Sequence, residues 1–290
     1  MSAQSKIEFV AVSKLFPARS GRLVDAFSAL QNVSLDVAPG EFMVLVGPSG
    51  CGKSTLLDLL GGLTEPSSGR ILLDGQPVTG PGLNRGIVFQ QYALFPWRTA
   101  LENVEFGLEA KRVPKAERRD IARSHLELVG LSGFEGHFPH ELSGGMKQRV
   151  AIARSLAYNP EVLLMDEPFA ALDAQTRETL QVELKRIWEK SRTTILFITH
   201  GIDEAICLGQ RIAVMTSRPG SIKCIIEVPE GLRASSDDVR SLPEFGRLRH
   251  EIWRLLQDEV HEAEQEERRN KLGSVRSGAR GSLREVALRG

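Results

Sequence analysis

The run Gly47-Pro48-Ser49-Gly50-Cys51-Gly52-Lys53-Ser54-Thr55 has the residue types and spacing of a phosphate cradle. It matches the pattern G-x-x-x-x-G-K-[ST], in which glycines let the backbone turn tightly enough to aim its N–H groups at phosphate oxygens. The positive end of the helix that follows adds to that field. Lys53 supplies a point charge for the β- and γ-phosphates, and the Ser54 hydroxyl is placed to ligate Mg2+. Downstream, the apolar run Val162-Leu163-Leu164-Met165 ends in two adjacent carboxylates, Asp166 and Glu167, and Pro168 closes the segment. A buried strand ending this way projects both carboxylates into a cleft. Hydrolysis of a phosphoanhydride needs charge neutralisation, an oriented water and a base or polariser for that water. Asp166 is therefore assigned to Mg2+, through water, and Glu167 to the attacking water. Gln90 and His200 each follow a short apolar strand. On their own, either would be an ordinary polar residue.

A further segment, Leu142-Ser143-Gly144-Gly145-Met146-Lys147-Gln148, opens an apolar-periodic helix through Val150, Ile152, Ala153 and Leu156. With it the order of motifs is phosphate loop, Gln90, Leu-Ser-Gly-Gly, Asp166-Glu167, Leu172-Asp173 and His200. That series resembles the nucleotide-binding subunit of ABC transporters, from about Ile7 to about Pro229. The resemblance implies ATP and Mg2+ as the bound species. It implies that Gln90 touches Mg2+ and the water and reports nucleotide state to a membrane partner, and that His200 contacts the γ-phosphate. Gly201 stands where the family usually has Asp, which loosens the local turn chemistry but keeps the His. Ser143, Gly144 and Gly145 would face the phosphate loop of a second copy of the chain, so that ATP is sandwiched between two subunits. Asp173 would belong to the loop linking the two sites across that interface. Phe16 aligns with the aromatic that stacks on adenine. Phe27 is the alternative, because the turn-rich insertion from Pro17 to Arg22 blurs the register.

These residues need elements to hold them. Ile7, Phe9 and Ala11 alternate with polar neighbours, as do Val33, Leu35 and Val37 before the Pro39-Gly40 turn, so residues 7–46 read as strands. Beyond the phosphate loop, strands and helices alternate, which argues for a mostly parallel sheet. From about Tyr92 to Asn159 the pattern turns helical, with a helix start at Pro114 and a stripe through Ile121, His125 and Val129. The expected fold is α/β: a P-loop nucleotide hydrolase core with an N-terminal antiparallel β subdomain and an inserted α-helical subdomain. The expected organisation is an ABC ATPase domain over 7–229, with the helical subdomain at about 92–159, a helical extension over 230–269 and a disordered tail over 270–290. The extension carries Leu248, Ile252, Leu255 and Leu256 at helical spacing, and the tail is rich in Gly, Ser and Arg.

Composition narrows the partners. Lys+Arg and Asp+Glu are both 37, which gives no basic surface for nucleic acid. Cys51, Cys207 and Cys224 have no metal-ligand spacing and fit a reducing compartment. Cys51, inside the phosphate loop, reads as a tolerated small residue. No apolar stretch reaches the roughly 20 residues that cross a bilayer, so membrane segments would come from other chains. Phe95-Pro96-Trp97, Asp166 to Arg177 and Ser217-Arg218-Pro219-Gly220 are similar to the nitrate, sulfonate and taurine importer branch. That likeness implies a second copy of the chain and transmembrane permease subunits as partners, and a solute-binding protein indirectly. It places the chain at the cytoplasmic face of the inner or plasma membrane, as a peripheral subunit. Phe95 and Trp97 would form part of the groove for the permease, or else pack the subdomain. The competing reading is a regulatory ABC module with little turnover, against which the intact Glu167 and His200 weigh.

Overall fold

Two kinds of strand set the architecture. In the computed structural model, which describes residues 5–17, 27–234, 239–259 and 261, half-buried strands form one sheet, and the other is built on fully buried strands with a half-buried strand at its edge. The first sheet is antiparallel, in the order β2-β1-β4-β5, from β1 (Ile7–Phe16), β2 (Phe27–Val37), β4 (Ser68–Leu73) and β5 (Gln76–Pro77). Its β1–β2 ladder runs from Ile7 opposite Val37 to Phe16 opposite Phe27.

The second sheet has the order β10-β9-β3-β8-β7-β6. It contains β3 (Phe42–Val46), β6 (Arg85–Val88), β7 (Val162–Asp166), β8 (Thr194–Ile198) and β9 (Arg211–Met215), all parallel, with β10 (Ile222–Glu227) antiparallel at the edge. Every residue of β3 and β8 is buried. Their apolar runs are unbroken because both faces are covered. Phe42, Val44 and Val46 pack into one core cluster with Met165, Phe197 and the helical layer. Met43 and Leu45 point the other way. They meet Leu56, Leu57 and Leu60 of α1 (Lys53–Gly61) and the inner face of the antiparallel sheet.

The helical layer comprises α2 (Ala100–Ala110), α3 (Lys115–Leu128) and α4 (Gly144–Ala157), with α5 (Ala174–Ser191) and α6 (Ile202–Leu208) in the same core. Thr99 and Glu102 form a reciprocal capping box that fixes the start of α2. After the short α7 (Glu230–Ala234), a helix over 243–259 buries Phe245, Leu248 and Ile252 in the main core. The sequence places a helix there out to 269. Residues beyond 261, the 270–290 tail included, and residues 18–26, which hold all of the Pro17–Arg22 insertion but Pro17, lie outside the described residues. Among the described residues no helix is long and apolar enough to cross a membrane.

Parallel pairing brings the carboxyl ends of five strands to one edge. The phosphate loop follows β3, Gln90 follows β6, Glu167 follows β7, His200 follows β8 and the 216–221 turn follows β9. In open α/β sheets this edge is where ligands bind.

Candidate functional site

The phosphate loop is a connection that only glycine-rich sequence can make. Gly50 and Gly52 have φ of 74° and 100°, left-handed values that a side chain would strain. Gly52 is the N-cap of α1, so the helix begins at Lys53 with its N-terminal end turned into the loop. Lys53 is only 6% exposed. Its Nζ donates to the carbonyls of Gly47 at 2.8 Å and Pro48 at 3.0 Å, which folds the side chain back along the loop. The Cys51 Sγ lies 3.9 Å from the same Nζ. Burial pushes the Cys51 thiol up, against the lowering effect of Lys53, so it is a poor nucleophile. Ser49, Gly50 and Ser54 face outward, and Pro48 and Thr55 are half-buried.

Asp166 ends β7 beside Ser54. Burial raises its carboxyl pKa, the Ser54 hydroxyl and Lys53 lower it, and the charges of Glu167 and Asp58 raise it. A partly desolvated carboxylate next to a hydroxyl, with further carboxylates near, is a hard oxygen-donor set that suits Mg2+. Among the described residues no group of three His, Cys, Asp or Glu side chains could hold a metal by itself.

Glu167 has φ of 44°, a left-handed value that costs about 1–3 kcal/mol for a residue with a side chain. Its N–H donates to the Ile198 carbonyl at 3.0 Å, extending the β7–β8 ladder by one bond. The turn sets the Glu167 Oε2 3.2 Å from the His200 Nδ1. The His200 side chain is 66% exposed and that of Glu167 is 23% exposed. Gln90 is exposed, in the turn two residues beyond Val88, the last β6 residue paired with β7, opposite Met165. Phosphate loop, Asp166, Glu167, His200 and Gln90 thus share one edge. A cavity of about 460 Å3 opens next to it, lined by Glu167, Arg177, Thr199, His200, Glu204 and Arg249 among others.

The signature segment is not part of that group. Ser143 is the N-cap of α4 and accepts from Met146 N at 3.3 Å. Ser143 and Gly144 are exposed, and among the described residues the segment makes no hydrogen bond to the phosphate loop. It sits instead against the start of α5. A Cβ on Gly145 would lie 2.6 Å from Thr176 Cγ2, so glycine is required for this approach. Asp173, the N-cap of α5, accepts from Thr176 N at 3.0 Å. Those Thr176 hydrogen bonds lower its carboxyl pKa. The 143–145 loop and Asp173 are therefore neighbours on one exposed surface.

Phe16 and Phe27 both remain accessible, 38% and 40% exposed, directly opposite one another at the end of the β1–β2 ladder. Each ring carries a cation: Lys14 Nζ lies 5.1 Å from the Phe16 centroid and the Arg218 guanidinium 4.6 Å from that of Phe27. Phe95 and Trp97, in the loop before α2, form a second aromatic patch with Phe106 of α2. Phe95 packs 5.6 Å from Trp97 and 4.6 Å from Phe106 between ring centroids, and Trp97 is 71% exposed. The buried Asn103 amide clamps the Phe95 backbone, accepting from its N at 2.8 Å and donating to its carbonyl at 3.2 Å.

Three residues at this edge carry no role in the sequence reading. Arg218 lies within Ser217–Gly220, but nothing local marks it as reaching the phosphate loop. Glu204 is one helical turn beyond His200. It accepts from the Thr199 hydroxyl and, at 2.9 Å, from the Gln181 amide, which ties the His200 loop to α5. Burial raises its carboxyl pKa and those two hydrogen bonds oppose the rise. Tyr92 borders Gly144, its hydroxyl 3.2 Å from where a Cβ would stand.

Comparison with known proteins gives the family. The family model described as ABC transporter matches residues 30–170. An uncharacterized ABC transporter ATP-binding protein of Methanocaldococcus jannaschii is 51% identical over 255 residues, 88% of this chain and 92% of its own length. A nitrate import ATP-binding protein of Synechocystis is 48% identical over 86% of this chain and 94% of its own length. A taurine import ATP-binding protein of Rhizobium johnstonii is 48% identical over 84% and 94%. Among solved structures, a dimeric ATP-binding cassette in a post-hydrolysis state with ADP and phosphate superposes with a TM-score of 0.69. It is 36% identical and covers 77% of this chain and 99% of its own. With its phosphate loop, paired carboxylates and signature segment in this fold, the chain belongs to the ATP-binding subunits of ABC transporters.

Proposed function

We propose that the chain hydrolyses ATP as the cytoplasmic-face, peripheral subunit of an importer for a small oxyanion of the nitrate, sulfonate or taurine kind. Transmembrane permease subunits carry the solute, and a solute-binding protein delivers it to them. The observation that carries the reading is the meeting of Glu167 and His200, 3.2 Å apart, at the sheet edge where the Lys53 loop and Asp166 also end. Relatives named for nitrate and taurine import, similar along most of the chain, supply the solute class.

The residues then divide the work. Loop amides and Lys53 bind the β- and γ-phosphates. Ser54, Asp166 and Gln90 would hold Mg2+, which when bound neutralises charge on the phosphate oxygens. Glu167 orients the water and takes its proton, and the His200 ring holds the Glu167 carboxylate and faces the γ-phosphate. Phe16 or Phe27 stacks on adenine. The site of one copy is completed by Ser143, Gly144 and Gly145 of another, whose hydroxyl, N–H groups and helix N-terminus suit a γ-phosphate. Asp173, beside them, couples the two sites. Phosphate release by the purified chain, and its stimulation by nitrate or taurine in the complex reconstituted with permease and binding protein, tests the proposal. Turnover too slow to separate from background in both settings would favour a regulatory module instead.

Two expected results follow from the exposed surfaces. Ser143→Arg should leave ATP binding by a single subunit unchanged and abolish hydrolysis, because the side chain acts on the other copy's nucleotide. Loss of monomer binding in a direct titration would contradict the shared site. Changing Phe95 and Trp97 together to Ala should spare basal hydrolysis but weaken assembly with the permease, seen as lost co-purification or lost stimulation. Large aromatics exposed in a patch mark an interface. Loss of basal turnover would instead assign them to packing.

A further inference from the structure

The turn after β9 ties together three parts of the molecule that hydrolysis alone does not connect. Arg218 Nε donates to the Gly50 carbonyl at 2.7 Å, and its guanidinium stacks on Phe27, 4.6 Å from the centroid. A peptide unit is planar, so gripping the Gly50 carbonyl fixes the Gly50–Cys51 unit in the middle of the cradle. Gly220 donates to the Ala29 carbonyl at 3.0 Å and accepts from Gln31 N at 2.9 Å, which fastens the turn to β2. A Cβ on Gly220 would collide with the Cys51 carbonyl oxygen. The turn lies flush on the phosphate loop, with no room for another residue type.

The other side of the turn is held by the helix over 243–259. Ser217 N donates to Glu259 Oε2 at 2.7 Å, and Lys223 Nζ pairs with Glu259 Oε1 at 2.6 Å. Glu259 is 3% exposed. Both carboxylate oxygens are thus used in charge-assisted contacts inside the protein, the strong class of hydrogen bond. Within the turn, Thr216 Oγ1 accepts from Ser221 N at 2.9 Å and lies 3.2 Å from the Pro219 carbonyl, which braces the turn internally. The path from helix to cradle runs Glu259, Ser217, Arg218, Gly50.

We propose that the 216–221 turn is a latch on the phosphate loop and that the C-terminal helix sets it. Arg218 and Glu259 are positioning residues for nucleotide affinity. The proposal rests on the reading of residues 47–55 as the phosphate cradle. It gives the helix over 243–259 a role in ATP binding through the turn. Anything that shifts that helix changes how firmly the cradle is held.

The test titrates ATP with Mg2+ into the full chain and measures the thermal unfolding midpoint of each variant alongside. Arg218→Ala and Glu259→Ala should each weaken ATP binding about five- to tenfold, the net scale of one ordinary hydrogen bond, since each acts on the cradle through the loop and not on the nucleotide. The double variant should be no weaker than the weaker single one, because both lie on one path. Glu259→Gln keeps an acceptor for Ser217 N and should stay within about twofold of the parent, rescuing affinity that Ala loses. Arg218 is exposed, so its Ala variant carries the test if Glu259→Ala fails to fold. A lowered midpoint with unchanged affinity, or losses that add in the double variant, would overturn the latch. Lys53→Ala serves as control. If it loses ATP while both latch variants bind normally, the latch alone is wrong; if it binds normally, the cradle reading fails and the latch with it.

Discussion

Glu167→Gln should slow phosphate release by roughly 10²-fold or more while ATP binding persists, the loss expected for a general base. The substitution keeps size and an oxygen acceptor at the position 3.2 Å from His200 Nδ1, so the ring stays in place. The Glu167 N–H bond to Ile198 is a backbone contact and is unaffected. Only charge and basicity are removed. Single-turnover phosphate release, measured beside an ATP titration, separates the two quantities. A variant that turns over at the parent rate would move the role of base away from Glu167 and toward His200 and Gln90.

Lys53→Ala should weaken ATP binding by at least about 100-fold, the effect of removing one member of a desolvated charge pair. Lys53 is buried and bridges two loop carbonyls, Gly47 and Pro48. Its removal deletes the cation within the cradle and also loosens the loop's own fold. Arg218 is no substitute, since it grips the outward Gly50 carbonyl. An unaltered far-UV circular dichroism spectrum together with lost ATP binding is the expected pair of observations. Unchanged affinity would remove the phosphate-cradle assignment.

Much of this was legible because it is local. The phosphate loop, the strand into Asp166 and Glu167 and the start of α4 each lie within about ten residues of sequence, where glycine placement and apolar periodicity constrain the backbone directly. Strand–helix alternation made the mostly parallel sheet and the α/β class readable, whereas the strand order β10-β9-β3-β8-β7-β6 was not. Contacts across large separations were not readable. Arg218 reaching Gly50 spans 168 positions and Gln181 reaching Glu204 joins two helices. Arg and Gln are ordinary surface residues in any local window. Glu259 looks like one more charge on a solvated helix until its burial against the 216–221 turn is seen. The choice between Phe16 and Phe27 was ambiguous in sequence for a related reason. Strand pairing sets the two rings opposite each other, and both stay open to a ligand.

On the proposed function one chain holds only half of each working site: among the described residues Ser143 to Gly145 make no hydrogen bond to their own phosphate loop. Light scattering on the Glu167→Gln protein, with and without ATP and Mg2+, tests it most directly. Stalled hydrolysis should trap the sandwich. The mass of one chain is expected without nucleotide, the mass of two with it, and a return to one when Ser143→Arg is added. A single-chain mass at saturating ATP, or a two-chain mass indifferent to ATP and to Ser143→Arg, would contradict it.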